Sequence, residues 1–160
     1  MNQKEFNRND LSSLKANKIA FIYTDGSYNP TTYVIGCAFA FFDEGIKRPY
    51  RIAFGKKLKT EVNYGSCIAE IVAVKTAIKA ACSLCYSHVI IYHDWNGIEY
   101  FSKSENIKSK HNSCPEFRRY AAFIGNAKKE INISFVKVKG HSNNRYNSLV
   151  DKMAKSQIMT

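Results

Sequence analysis

The stretch Lys18-Ile19-Ala20-Phe21-Ile22-Tyr23-Thr24-Asp25-Gly26-Ser27 is an apolar run that stops at an acid and a glycine. Its length and its branched and aromatic side chains predict a strand over Lys18 to Thr24, ending at Asp25-Gly26. An acid at the end of a strand is rarely explained by core packing. Tyr28-Asn29-Pro30 is turn chemistry, and Tyr33 to Phe42 reads as a second strand. Asp43-Glu44-Gly45 turns the chain again, and Tyr50 to Lys56 reads as a third strand that closes a meander.

Downstream the period changes. Ser66 to Cys82 is rich in alanine and reads as a helix, with Ser66 as its N-cap. Ala73, Val74, Ala77 and Ile78 follow Glu70 at helical spacing, so Glu70 sits on the apolar stripe. A carboxylate there costs several kcal/mol unless it is paired or ligating. His88 to His93 reads as a central parallel strand, and Asp94 follows it at once. A helical segment is predicted near Asn96 to Lys103, then a polar basic loop from Asn106 to Ser113. A helix from Pro115 to about Lys129 and a strand from Ile131 to Val138 come next. Gly140 to Asn144 is a loop, and the last helix, Arg145 to about Gln157, carries Asp151. The order β-β-β-α-β-α-α-β-α predicts an α/β fold: a mixed five-stranded sheet with helices on both faces.

At 160 residues the chain fits one domain, read as a polar lead over 1–17 and a folded unit over 18–160. No apolar run approaches the roughly 20 residues of a membrane span. The polar N-terminus lacks an apolar stretch of secretory type, which predicts a cytoplasmic protein. Five cysteines cannot all pair within one chain, so free thiols are the expectation. Cys82 and Cys85, with His88 following, lack the fourth ligand of a structural zinc site. The formal charge of +11 favours a polyanionic partner, nucleic acid first. Against that surplus, Asp25, Glu70, Asp94 and Asp151 occupy special settings on separate elements. Converging acids need a counter-charge, and a divalent metal ion is the usual one.

Thr24-Asp25-Gly26-Ser27, the Glu70 helix, an acid directly after the fourth strand, and Lys139-Gly140-His141-Ser142 followed by Asn147 to Lys155 occur in one order. In this the chain resembles the type 1 ribonuclease H family over residues 18 to 157, in the short form of bacterial and virus-like members. The resemblance implies the ribonuclease H-like fold, with the fourth and fifth strands parallel to the first. It also implies an endonuclease that hydrolyses the RNA strand of RNA–DNA hybrids to 5′-phosphate and 3′-hydroxyl products. Asp25, Glu70, Asp94 and Asp151 would hold two Mg²⁺ ions, with Mn²⁺ as a substitute. Asp25 would bridge them, Glu70 and Asp94 would hold the ion that prepares the attacking water, and Asp151 the ion at the leaving oxygen. His141 would assist proton transfer or product release.

Gly26 and Ser27 would contact the RNA through backbone amides. Asn63, Ser66 and Cys67 stand near where the family reads the minor groove, often with paired amides that Ser66 and Cys67 replace. Lys139, Lys56, Lys57 and Lys59 are candidates for phosphate contacts, and so are Lys108, Lys110, Arg118 and Arg119. Ser148 stands where the family often has a Glu, and Asn106 to Ser113 is too short for the basic protrusion of some members. The implied protein is a monomer with no obligate protein partner. Two other readings keep the fold: a non-catalytic nucleic-acid-binding domain, whose mark would be a lost acid, and a related nuclease acting on DNA.

Overall fold

β1 (Ile19–Asn29) is the middle strand of a five-stranded sheet. It pairs antiparallel with β2 (Val34–Phe42) and parallel with β4 (His88–His93). β3 (Tyr50–Lys57) adds antiparallel to β2, and β5 (Asn132–Lys137) adds parallel to β4, giving the order β3-β2-β1-β4-β5. The helices are α1 (Gly65–Ser83), α2 (Gly97–Tyr100), α3 (Pro115–Ala127) and α4 (Arg145–Ser156), with a 3-10 turn at Ser104–Ile107. The computed structural model describes residues 18–107, 114–140 and 143–159. Residues 1–17, and with them the polar lead, lie outside it, as do Lys108, Lys110, His141 and Ser142.

Alternation along the strands sorts side chains onto two faces. On one face Ala20, Ile22, Phe39 and Phe41 meet Ile71, Val74 and Ile78 of α1 and Phe117, Tyr120 and Ile124 of α3. Fully burying each such isoleucine is worth about 1.5–3 kcal/mol. The alanines Ala69, Ala73, Ala77 and Ala81 are fully buried, and their small side chains let α1 lie close on the sheet. On the other face Tyr23, Ala38 and Ala40 meet Val150 and Ala154 of α4. Tyr23 stacks on Tyr92 with ring centroids 4.5 Å apart, filling the space beside that helix. The mixed sheet with helices on both faces is therefore the architecture observed.

Three boundaries differ from the sequence reading. β1 does not stop at Thr24 but runs to Asn29, because β2 supplies partners from Asp25↔Ala38 to Asn29↔Val34. Ser66 does not cap α1. The helix begins at Gly65 behind Tyr64, with no side-chain cap, because the buried Gly65 packs flat against the Tyr28 ring. The segment Asn96 to Lys103 forms only the single turn of α2. No helix is long and apolar enough to cross a membrane among the described residues.

Candidate active site

Strand register brings the first two acids together. Tyr23 of β1 is opposite Tyr92 of β4 in a parallel pair, and Asp25 and Asp94 each lie two residues further on. They therefore emerge side by side at the carboxyl end of β4, the usual place for a site in an α/β sheet. Glu70 arrives from α1 because Gly26 lets the helix touch the strand. A Cβ at Gly26 would lie 2.2 Å from the Glu70 backbone nitrogen. Gly36 does the same for α4, where a Cβ would lie 2.1 Å from the Ala154 carbonyl oxygen. Val150 and Ala154 anchor α4 on the sheet between them. Asp151, next to Val150, then lies close enough for its charge to act on Asp25.

One carboxylate oxygen from each of Asp25, Glu70 and Asp94 lies within 4.8 Å of the other two. Asp25 is 7% exposed, and its Oδ1 accepts a 2.8 Å hydrogen bond from the Gly26 amide. Burial, and then the charge of Asp94, push its carboxyl up to about 7. Burial, and then Asp25 and Asp94, push Glu70 to about 9, against the pull of Lys137. Without a cation, these acids relieve their repulsion by holding protons. Asp151 stands outside the trio and is ion-paired with Lys155 at 2.9 Å. An all-oxygen donor set of this charge fits a hard divalent cation, which would take the place of the protons.

A family model described as RNase H matches residues 17–159. The chain belongs to the RNase H family. It is a ribonuclease H enzyme of type 1, a nuclease of the hydrolase class. Ribonuclease H of Caldanaerobacter subterraneus subsp. tengcongensis is 28% identical over 142 residues, spanning 89% of this chain and 92% of that protein. The crystal structure of RNase H1 from the halophilic archaeon Halobacterium salinarum NRC-1 superposes with a TM-score of 0.67 at 15% identity. It covers 87% of this chain and 96% of its own. LC11-RNase H1, solved in complex with an RNA/DNA hybrid, gives a TM-score of 0.61 at 19% identity, over 86% of this chain and 97% of that one.

The RNase H fold also recruits residues the sequence did not single out. Asn147 is 4% exposed, and its Nδ2 donates to Asp94 Oδ2 at 3.4 Å. Its Oδ1 is buried with no partner among the described residues. Lys137 Nζ donates to the Asp94 carbonyl oxygen. Asn147 lies four residues before Asp151, on the same helix face, and that spacing is the one local hint of its place. Lys137 carries no comparable signal.

Among the predicted substrate contacts, Gly26 and Ser27 stand within β1, and the Gly26 amide is engaged by Asp25. Ser66 is exposed on the first turn of α1. Cys67 is half-buried beside it, its thiol pushed up by burial and by Glu70. Asn63 and Lys139 are exposed. Gly140 comes close to Asp94, where a Cβ would lie 3.6 Å from Oδ2, so the segment leading to His141 leaves from beside the acids. His141 itself lies outside the described residues.

Proposed function

We propose that this enzyme hydrolyses the RNA strand of RNA–DNA hybrids to 5′-phosphate and 3′-hydroxyl ends, with Mg²⁺ as its metal. The observation that carries the reading is the convergence of Asp25, Glu70 and Asp94 from three separate elements to within 4.8 Å. Asp25 would be shared between two ions, with Glu70 and Asp94 on one and Asp151 on the other. Paired divalent ions, when bound, neutralise charge on the attacking and departing oxygens of a phosphodiester. Mn²⁺ carries the same oxygen preference and would substitute.

The protein's own groups set the frame. Asn147 and Lys137 fix Asp94 through its side chain and its carbonyl. Lys155 Nζ donates to Asp151 Oδ2 at 2.9 Å. Gly26, Ser27, Asn63, Ser66 and Cys67, on β1 and around the start of α1, serve as contacts to the RNA strand, and Lys139 as a phosphate contact. His141 would assist proton transfer through its imidazole, or product release. A hybrid suits this arrangement because A-form helices are recognised by shape, phosphates and 2′-hydroxyls rather than base sequence. The structural neighbour solved with an RNA/DNA hybrid supports that choice of partner. In this reading residues 18–160 form the catalytic unit and act as a monomer. The thiols of Cys37, Cys67, Cys85 and Cys114 are free, in keeping with the cytoplasmic location proposed here.

The test is cleavage of one labelled RNA strand paired with DNA, paired with RNA, and alone. Each form is run with Mg²⁺, with Mn²⁺ and with chelator, beside Asp94→Asn. Cutting confined to the hybrid, dependent on metal and lost in the variant, is the expected result. Hybrid binding without cutting in any metal would replace the reading with a binding domain, and cutting of all three forms would remove the hybrid preference.

A further inference from the structure

A groove of about 690 Å³ lies between α4 and the chain entering β3, and none of the four acids lines it. Lys47, Arg48, Arg51, Arg145 and Lys152 line it, with Tyr146 among them. Among the described residues, none of these five cations pairs with a carboxylate; the ion pairs present are Arg119–Glu116 and Lys155–Asp151. Five uncompensated like charges around one concavity oppose the compact state and focus positive potential, an arrangement that favours an anionic occupant. Tyr146 is held by Tyr23 and Phe42, at centroid distances of 5.4 and 5.3 Å, so the groove is built on a rigid aromatic base.

The groove also has a direction. Arg145 and Lys152 are seven residues apart, on one side of α4 and about 10 Å apart along its axis. That span matches about three steps of a nucleic-acid strand at 3.4 Å each. Lys152 directly follows Asp151, so the groove and that acid share one helix. A concave channel suits a strand better than a flat lipid surface.

We propose that this groove is a second nucleic-acid contact, binding the sugar–phosphate backbone of the hybrid's flank about three nucleotides long, outside the segment being cut. It rests on the hybrid as substrate. The test is binding of the full chain to a hybrid of about 24 base pairs across a salt series in chelator, where no metal-dependent cutting intervenes. A variant combining Lys47→Gln, Arg51→Gln and Arg145→Gln is compared with a control of equal charge change, Lys103→Gln, Lys128→Gln and Lys129→Gln. The groove variant is expected to bind on the order of tenfold more weakly, its salt slope reduced by about two to three. The control should change little. An unchanged slope or an equal loss in the control would overturn the proposal. So would tripolyphosphate binding that the groove variant abolishes while the hybrid slope stays as in the wild type, which would make the groove a site for small polyanions. Groove-dependent binding without cutting in Mg²⁺ would refute the catalytic reading alone; cutting with no groove dependence would refute this one alone.

Discussion

Asp25 and Glu70 pay for function in folding energy. Both carboxyls are raised, from 3.8 to about 7 and from 4.5 to about 9, so the metal-free folded state keeps protons that the unfolded chain releases. Stability tied to these groups is present below the unfolded values and is lost as pH rises through the folded ones. Chelated protein should therefore lose stability between about pH 4 and pH 9 relative to a variant carrying Asp25→Asn and Glu70→Gln, in which the rest of the surface titrates alike. Added Mg²⁺ should restore the loss at the high-pH end. Urea unfolding at several pH values measures it, and parallel curves for the two proteins would contradict the account. Asn147 makes a second case at this scale. Its amide holds Asp94, and orienting partners of metal ligands are typically worth 10–100-fold in affinity or activity. Asn147→Ala should slow cleavage by about that factor, with part of the loss recovered at high Mg²⁺. A loss that stays constant across a metal titration would show that Asn147 acts elsewhere.

Elements were legible where one period ran unbroken. The apolar runs before Asp25 and Asp94 announced strands, the second of them a central parallel one, and the alanine-rich stretch after Ser66 announced a helix with Glu70 on its apolar stripe. Asp25, Glu70 and Asp94, which the structure brings together, stood out because each ends an apolar run or sits on an apolar stripe, whereas the role expected of Asp151 came from the resemblance. What local sequence hid was pairing over distance. Gly26-Ser27-Tyr28-Asn29 has turn composition, yet β2 holds it as strand. Asn147 reaches Asp94 across 53 positions and Lys137 reaches it across 43, and no local pattern encodes such contacts. Gly26 and Gly36 set how closely α1 and α4 approach the sheet, and so where Glu70 and Asp151 stand. The methyl group of Gly36→Ala meets backbone rather than a flexible side chain, so α4 must shift. It should cost about 1–3 kcal/mol, the usual range for overpacking, and weaken cleavage by moving Asp151. Denaturant unfolding and cleavage measured on the same sample check both effects. A stable variant with full activity would mean that α4 has more freedom than the contact allows.

At the scale of the whole molecule the charge is divided against itself. A chain with 24 basic and 13 acidic residues brings three of its acids, Asp25, Glu70 and Asp94, to one spot while carrying a large surplus of cations. The acids repel the phosphate that must reach them, so approach depends on the surrounding positive field. That field acts over distances that salt screens, about 10 Å at 0.1 M ionic strength, while groups already in contact are screened far less. Encounter with the hybrid and turnover of bound hybrid should therefore respond to salt differently. Raising NaCl at fixed Mg²⁺ should lower kcat/KM steeply, by roughly tenfold for each phosphate contact released over a tenfold rise in salt. kcat should fall much less, because saturating substrate already sits on the protein. Initial rates across a salt series separate the two. If kcat fell in step with kcat/KM, salt would be acting on the carboxylates and their ions, and the surface field would not be what brings the substrate in.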